Sequence, residues 1–318
     1  EGDGKTRTQS VWAQDAWKLS SRLTLTYGGR YERWTAFDGF NVNGATTVTQ
    51  PALSATRFSP KGVLSWAASA DLTVTASVAK AYRFATAGEL FQLVTTGATF
   101  TAPNPNLRPD DVLATELRVD RRFDRGRVQL ALFEDDVRDA IIAQFLPLVS
   151  GSNTLYSYVS NLDKVRARGA ELVVSTHGVG LERLDLSGSV TWLDARVLAL
   201  SGAANATATP GAAVGKFLPN IPNLRGSIQA SYRASDRLNV SLAGRYSGPL
   251  YTTLDNADVN PNTYQGFSGW FVADAKAQYR LRRGVAFALG VDNLLNRKYF
   301  LFHPFPQRTF VGSLTYDF

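Results

Sequence analysis

The sequence predicts an all-β chain, an antiparallel transmembrane β-barrel. Three observations carry this. Apolar residues recur on every second position over many segments of eight to ten residues or so, the period of a strand with one greasy face. The connections between those segments alternate strictly between short and long, as in barrels with short turns on one rim and long loops on the other. The last segment, Phe310 to Phe318, places Phe310, Gly312, Leu314, Tyr316 and Phe318 on one face and ends on an aromatic. The competing reading of that segment alone is the edge strand of a soluble sandwich.

Taken in order, residues 5–19 form a first strand of ambiguous phase, because Val11, Ala13 and Trp17 fall opposite Trp12 and Ala16. Leu23, Leu25, Tyr27 and Tyr31 then alternate with Thr24, Thr26 and Arg30. Leu72, Val74, Ala76 and Val78 repeat the pattern, as do Leu184, Leu186, Val190 and Trp192. Further strands run through Leu224–Tyr232, Leu238–Tyr246 and Val285–Val291. The short turns are Ser20-Ser21, Ala70-Asp71, Asp124-Arg125-Gly126, Ser235-Asp236 and Arg282-Arg283-Gly284. The long loops are roughly 37–55, 83–110, 146–156, 200–220 and 251–268, with a shorter one near 301–306; all are rich in Gly, Ala, Thr, Asn and Pro. Aromatics collect at both ends of the strands, Tyr31, Trp34, Tyr82, Phe84 and Tyr246 toward the long loops and Phe123, Tyr232, Tyr279 and Tyr316 toward the short turns. Two such belts are what two membrane interfaces select. The count is about thirteen strands, whereas bacterial single-chain barrels use an even number with both termini periplasmic. The expectation is a C-terminal part of a larger barrel, with residue 1 on the outer side and Phe318 at the periplasmic rim. The lack of any Met points the same way.

Composition narrows the function. The chain has 318 residues, no Cys and only two His, His177 and His303. That argues against a disulfide scaffold, a thiolate site or a histidine-rich metal site. No stretch approaches a membrane helix, but barrel strands need none. The formal charge of +7 comes from basic residues spaced along the chain at the short turns, such as Arg121, Arg122, Arg125 and Arg127, and Arg280, Arg282 and Arg283. A nucleic-acid binder would gather them in one patch; a ring at one barrel rim faces headgroups instead. A nucleophilic hydrolase would need an acidic partner beside a His near the outer rim. His177 sits at a short turn and His303 precedes Pro304 with no acid nearby, so no enzyme, catalytic set, metal or cofactor is expected.

Several phrases resemble one family. They are Ala81-Tyr82-Arg83-Phe84-Ala85-Thr86 followed by Glu89-Leu90-Phe91, then Asn104-Pro105-Asn106-Leu107-Arg108-Pro109-Asp110, then Asn161-Leu162 with Arg166-Ala167-Arg168-Gly169-Ala170-Glu171-Leu172, and Val291-Asp292-Asn293-Leu294-Leu295-Asn296-Arg297-Lys298-Tyr299-Phe300. In this order they resemble the barrel domain of TonB-dependent outer-membrane receptors. Pro306-Gln307-Arg308-Thr309 departs slightly from the family's Pro-Gly-Arg. The resemblance implies a barrel of about 22 strands closed by a plug, with residues 1–318 supplying a C-terminal piece and the plug and TonB box lying outside it. It implies TonB-dependent active uptake of a scarce nutrient, most often a ferric siderophore, in the bacterial outer membrane, with a small-molecule ligand, lipid, the TonB complex and the barrel assembly machinery as partners. Tyr316 and Phe318 would serve as the assembly signal. A passive channel or adhesin-like barrel is the competing function.

Within that reading the roles divide. The two prolines of the Asn104–Pro109 segment stiffen a loop end. Gly169 relieves crowding in a bending strand. Glu116, Arg118, Asp120, Glu171 and Arg30 point into the lumen and pair there. Candidate ligand contacts at the loop end are Tyr82, Arg83, Phe84, Phe91, Tyr251, Tyr264, Trp270, Phe302 and His303, because aromatics stack on flat chelators and Arg attracts anionic ones.

Overall fold

The computed structural model describes the chain except residues 97–98, 148–154, 179, 202–212, 259–260 and 317–318. Its elements are β1 (Gly2–Lys18), β2 (Leu23–Asn43), β3 (Thr46–Thr49), β4 (Leu53–Ala67), β5 (Leu72–Arg83), α1 (Ala87–Phe91), β6 (Val94–Thr96), β7 (Thr99–Ala102), β8 (Asp110–Phe123), β9 (Gly126–Pro147), β10 (Leu155–His177), β11 (Leu184–Ala199), β12 (Leu224–Arg233), β13 (Leu238–Ser247), β14 (Trp270–Arg282), β15 (Val285–Asp292), β16 (Phe300–Leu301), β17 (His303–Pro304) and β18 (Thr309–Tyr316). Thirteen of them form one continuous path, β1-β2-β4-β5-β8-β9-β10-β11-β12-β13-β14-β15-β18. Each joins the next antiparallel. Among the described residues the wall thus has the strand number expected from the sequence. Phe318 lies outside the described residues.

Register separates the two faces. Leu117 pairs with Leu132, Leu132 with Ala170 and Ala170 with Trp192. Farther on, Tyr232 pairs with Val240, Val240 with Ala277, and Ala277 with Leu289. Leu117, Leu132, Trp192 and Leu289 are all exposed. A soluble sheet would cover such a face, whereas a barrel wall leaves it to lipid. The opposite face carries Glu171, Thr191 and Arg225 in one row and Asn239, Gln278 and Ser313 in others. The strand ladder pairs the backbone groups of the wall, which hydrocarbon would otherwise leave unsatisfied at several kcal/mol each.

The residues expected in the lumen lie on that polar face, and they pair along the wall. Arg30 contacts Glu32 at 3.0 Å and Arg118 contacts Glu116 at 3.3 Å. Asp120 pairs with Arg127, and Thr191 Oγ1 donates to Glu171 at 3.1 Å. A Cβ at Gly169 would strike the Trp192 carbonyl and come within 2.7 Å of the Phe133 ring. The phase of β1 is settled by its partner: Val11, Ala13 and Trp17 lie opposite Tyr31, Gly29 and Leu25, on the apolar face.

The expected short turns all fall at one rim. At the other rim the strands run farther than the sequence pattern predicts. The 37–55 loop is mostly strand, because β2 continues to Asn43 and folds back through β3. Its apolar residues, Phe37, Phe40, Val42 and Val48, fall at irregular spacing among polar ones, so no sustained alternation marks them. Within 83–110 the chain forms α1 and the β6–β7 hairpin. α1 has a capping box: Thr86 Oγ1 accepts from the Glu89 amide, and Glu89 accepts from the Thr86 amide. That pair satisfies two of the amides a helix start leaves free.

Candidate functional site

The long-loop rim is held by three ties before any surface is offered to a ligand. The first joins β5, α1, β8 and β9. Arg83 Nη1 donates to Glu89 Oε1 at 2.9 Å, its Nε to Asp110 Oδ2 at 3.0 Å and its Nη2 to the Ile141 carbonyl at 3.1 Å. Asp110 also accepts from the Ile141 amide at 2.7 Å. Burial alone would raise the Glu89 carboxyl, but the Thr86 amide and the Arg83 guanidinium outweigh it and hold Glu89 below the ordinary range. The second tie closes the Asn104–Asp110 segment on β10. Arg108 pairs with Asp139 at 2.6 Å, which raises the guanidinium further above its already high range. Asn161 Nδ2 donates to the Arg108 and Asp139 carbonyls at 2.8 and 2.6 Å, and its Oδ1 accepts from the Arg108 amide at 2.9 Å. The third tie is Asn293, at φ +52°, a left-handed conformation that Asn tolerates. Its Nδ2 donates to the Arg297 carbonyl at 2.8 Å and its Oδ1 accepts from the Arg297 amide at 2.8 Å. The motifs singled out in the sequence therefore meet as structural ties.

Of the candidate contacts, several are spent on this framework. Phe91 is fully buried in a socket where a Cβ at Gly39 would come within 2.5 Å of its ring. Phe84 stacks on Trp34 with centroids 5.7 Å apart. Arg83 is the first tie. Tyr82 takes the Lys80 ammonium over its ring at 5.3 Å and the Arg57 guanidinium at 5.5 Å. It pairs in register with Asp111 on the apolar side of the wall.

The remaining candidates gather in neighbouring groups over β11–β18. Tyr264, Phe302 and His303 form one. The Tyr264 ring lies 5.9 Å from Phe302 and 5.6 Å from His303, and Phe302 lies 4.9 Å from His303 edge-on. Phe267 completes it at 6.3 Å from Phe302. The Gln265 amide donates to the Phe302 carbonyl at 2.7 Å, and the Phe302 amide to the Gly266 carbonyl at 3.2 Å. Tyr264, Phe302 and His303 are exposed. Tyr251 belongs to a second stack, on Phe217 at 6.3 Å, with the Arg196 guanidinium 4.1 Å above Phe217. Trp270 sits in a third with Tyr299 at 4.9 Å, and Tyr299 stacks on Phe305 at 4.8 Å. The Trp270 Nε1 is buried without a hydrogen-bond partner. Sequence reasoning missed Phe217, Phe267, Phe305 and Arg196 as partners of these rings, and gave Tyr299 only as an aromatic of the Val291–Phe300 phrase. Phe217, Phe267 and Phe305 lie in loops already marked as long; Arg196 lies in β11 and carried no such signal.

Below these stacks the polar face of β12–β18 curves into a cavity of about 490 Å³, lined among others by Gln229, Asn239, Asp274, Lys276, Gln278 and Ser313. A polar concave wall under an aromatic rim can hold a flat ligand above and a hydrated path beside the wall.

The family model for the TonB dependent receptor-like β-barrel matches residues 1–294. The chain belongs to this family. Its members are outer-membrane β-barrels. The chain is 31% identical over 109 residues to the catecholate siderophore receptor Fiu of Escherichia coli K12, covering 32% of this chain and 14% of that protein. Among solved structures it superposes on the closed form of Fiu from E. coli K12 at TM-score 0.75 and 21% identity, over all of this chain and 45% of that one. The copper transporter OprC gives TM-score 0.77 at 16% identity, over 99% of this chain and 48% of that one. The siderophore receptor PiuA of Acinetobacter baumannii gives 0.74 at 16% identity, over 99% of this chain and 44% of that one. These likenesses establish the fold. The chain spans less than half the length of each of these proteins.

Proposed function

We propose that the chain is the wall of a receptor that binds a ferric siderophore of the catecholate class at its long-loop rim and imports it with energy from the TonB complex. The observation that carries this is the exposed Tyr264–Phe302–His303 group above a polar-lined cavity. Catecholate rings are flat and electron-rich, and their iron complexes are anionic. Stacking on Tyr264 and Phe302 suits the rings. The sequence similarity to a catecholate siderophore receptor supports the class. Long loops face outward and Tyr316, with Phe318, marks the strand read by the assembly machinery. No step of this function makes or breaks a covalent bond.

A titration of the full-length protein with ferric enterobactin, followed by tryptophan quenching, tests the reading. Saturable binding that weakens about tenfold on Tyr264→Ala, as expected for loss of one stacking partner of 1–1.5 kcal/mol, supports it. Absence of quenching by any ferric catecholate contradicts it.

A further inference from the structure

The polar face of the wall is not electrically uniform. Between the rims of β8–β10 the cations are claimed: Arg118 lies on Glu116 at 3.3 Å and Arg127 on Asp120. Two acids of this sector have no cation on them among the described residues. Glu171 accepts from the Thr191 hydroxyl, and Asp135 stands in register between Ala114 and Ala167. An anion moving along this sector would be repelled.

Across β12–β15 the balance is reversed. Asp274 is occupied by Arg245 at 3.0 Å and by the Asn293 amide at 2.9 Å, and Asp292 stands at the same height. Arg225, Lys276, Arg237 and Arg280 are exposed, and among the described residues none of them has a carboxylate within ion-pair distance. They descend in order. Arg225 is level with Ser247 and Trp270, under the aromatic groups. Lys276 lies about 20 Å below Trp270 along β14, and Arg280 about 14 Å farther. Beside it the Arg280 amide donates to the Arg237 carbonyl at 2.8 Å. Two cavities join these heights. The one of about 490 Å³ beside Lys276 and another of about 470 Å³ at the short-turn rim are both lined by Asn239 and Gln278. The lower one is an arginine pocket, with Arg183, Arg233, Arg237 and Arg280 set against Glu182 and Asp236. Asp236 lies 3.6 Å from Arg183, and Arg233 leans on Asp185 at 3.6 Å. The guanidiniums of Arg237 and Arg280 stay free to meet an anion.

We propose that the polar face of β12–β15 is the path of the imported anion, and that the arginine pocket is its last binding site before the periplasm. The pocket takes a polyanionic metal chelate on the guanidiniums of Arg237 and Arg280, whose forked donors match paired oxygens. Lys276 is the step between the aromatic rim and the pocket, a single cation that holds the anion weakly enough to pass it on. The inference rests on the proposed import of an anionic chelate and adds where along the wall it leaves.

The test uses the full-length protein in detergent, where both rims are accessible. Ser235→Cys puts a thiol at the edge of the arginine pocket, and an environment-sensitive fluorophore on it reports occupancy there. Tyr264-dependent tryptophan quenching reports the outer group separately. The probes are ferric enterobactin, a neutral ferric hydroxamate and inorganic phosphate. Ferric enterobactin is expected to change the label signal saturably, and the other two are not. In Arg237→Gln/Arg280→Gln the affinity read by the label should fall about tenfold with the outer quenching unchanged. Neither arginine has an acid partner, so the replacement strands no charge, and a heat-dependent gel shift confirms that the variant is a folded barrel. An equal response to the neutral chelate overturns the charge assignment, and an equal response to phosphate overturns the chelate assignment. A label silent to ferric enterobactin while outer quenching persists, as a pocket covered by the rest of the chain would give, overturns the exit site and leaves the receptor reading standing. An unchanged label affinity in the folded double variant overturns it too. Absence of any Tyr264-dependent quenching contradicts instead the receptor reading on which the site rests.

Discussion

Asn293 is 3% exposed and holds a left-handed turn closed through its own side chain. Replacing it separates backbone from side-chain effects. Asn293→Gly keeps the positive φ and loses the hydrogen bonds; Asn293→Ala loses both. The expected destabilisation is about 1–3 kcal/mol for Gly and about 1 kcal/mol more for Ala, read from urea unfolding in lipid vesicles. Glu89 makes a pH prediction. Its folded pKa is depressed, so its stabilisation is fully present above the unfolded value of about 4.3 and is lost as pH falls through the lower folded value. Protection of α1 against hydrogen exchange, relative to the intrinsic rate, should therefore fall as pH drops below the unfolded value, and Glu89→Gln should show the lower protection at every pH. Neither role was visible in the sequence. Asn293 stood in a recognised phrase, but its partners include the Pro306 carbonyl across a loop. Arg83 stands among the ligand candidates in the sequence, and nothing there marks Asp110 and Ile141, far along the chain, as partners of its guanidinium.

At the scale of elements, legibility followed the membrane. Where strands cross it, one face must be apolar, so period-2 alternation and the short turns could be read directly from Leu72–Val78 or Leu238–Tyr246. Above it nothing enforces the pattern. The upper part of β2 and the β3 hairpin mix Phe37, Phe40, Val42 and Val48 at irregular spacing with Gly, Asn and Thr, and α1 is a five-residue helix, Ala-Gly-Glu-Leu-Phe, too short for helical periodicity. α1 is fixed by a socket instead of by propensity, since Gly39 leaves room for the Phe91 ring. Gly39→Val should eject that ring, cost roughly 1–3 kcal/mol as other overpacked contacts do, and open residues 84–110 to limited proteolysis while the rest of the wall stays intact. The aromatic groups of the candidate site were half legible for the same reason. Tyr264, Phe302 and His303 could be marked as loop aromatics, but which rings meet depends on the pairing of the 262–268 and 298–302 segments, which leaves no mark in the sequence.

For the whole molecule, an odd number of wall strands places Gly2 and Tyr316 at opposite rims. With Tyr316 periplasmic, Asp255 lies outside and Ser235 inside. The chain has no cysteine, so Asp255→Cys or Ser235→Cys puts a single thiol into it. A membrane-impermeant maleimide should modify the first on intact cells and the second only after the outer membrane is opened; the reverse pattern would invert the wall. The central claim is that this wall belongs to an energised importer. Radio-iron uptake from ferric enterobactin by iron-starved cells carrying the full-length protein, with and without a protonophore, tests it most directly. The account predicts that the protonophore abolishes uptake while surface binding persists. Uptake that continues after the inner membrane is de-energised would show a passive channel and contradict it.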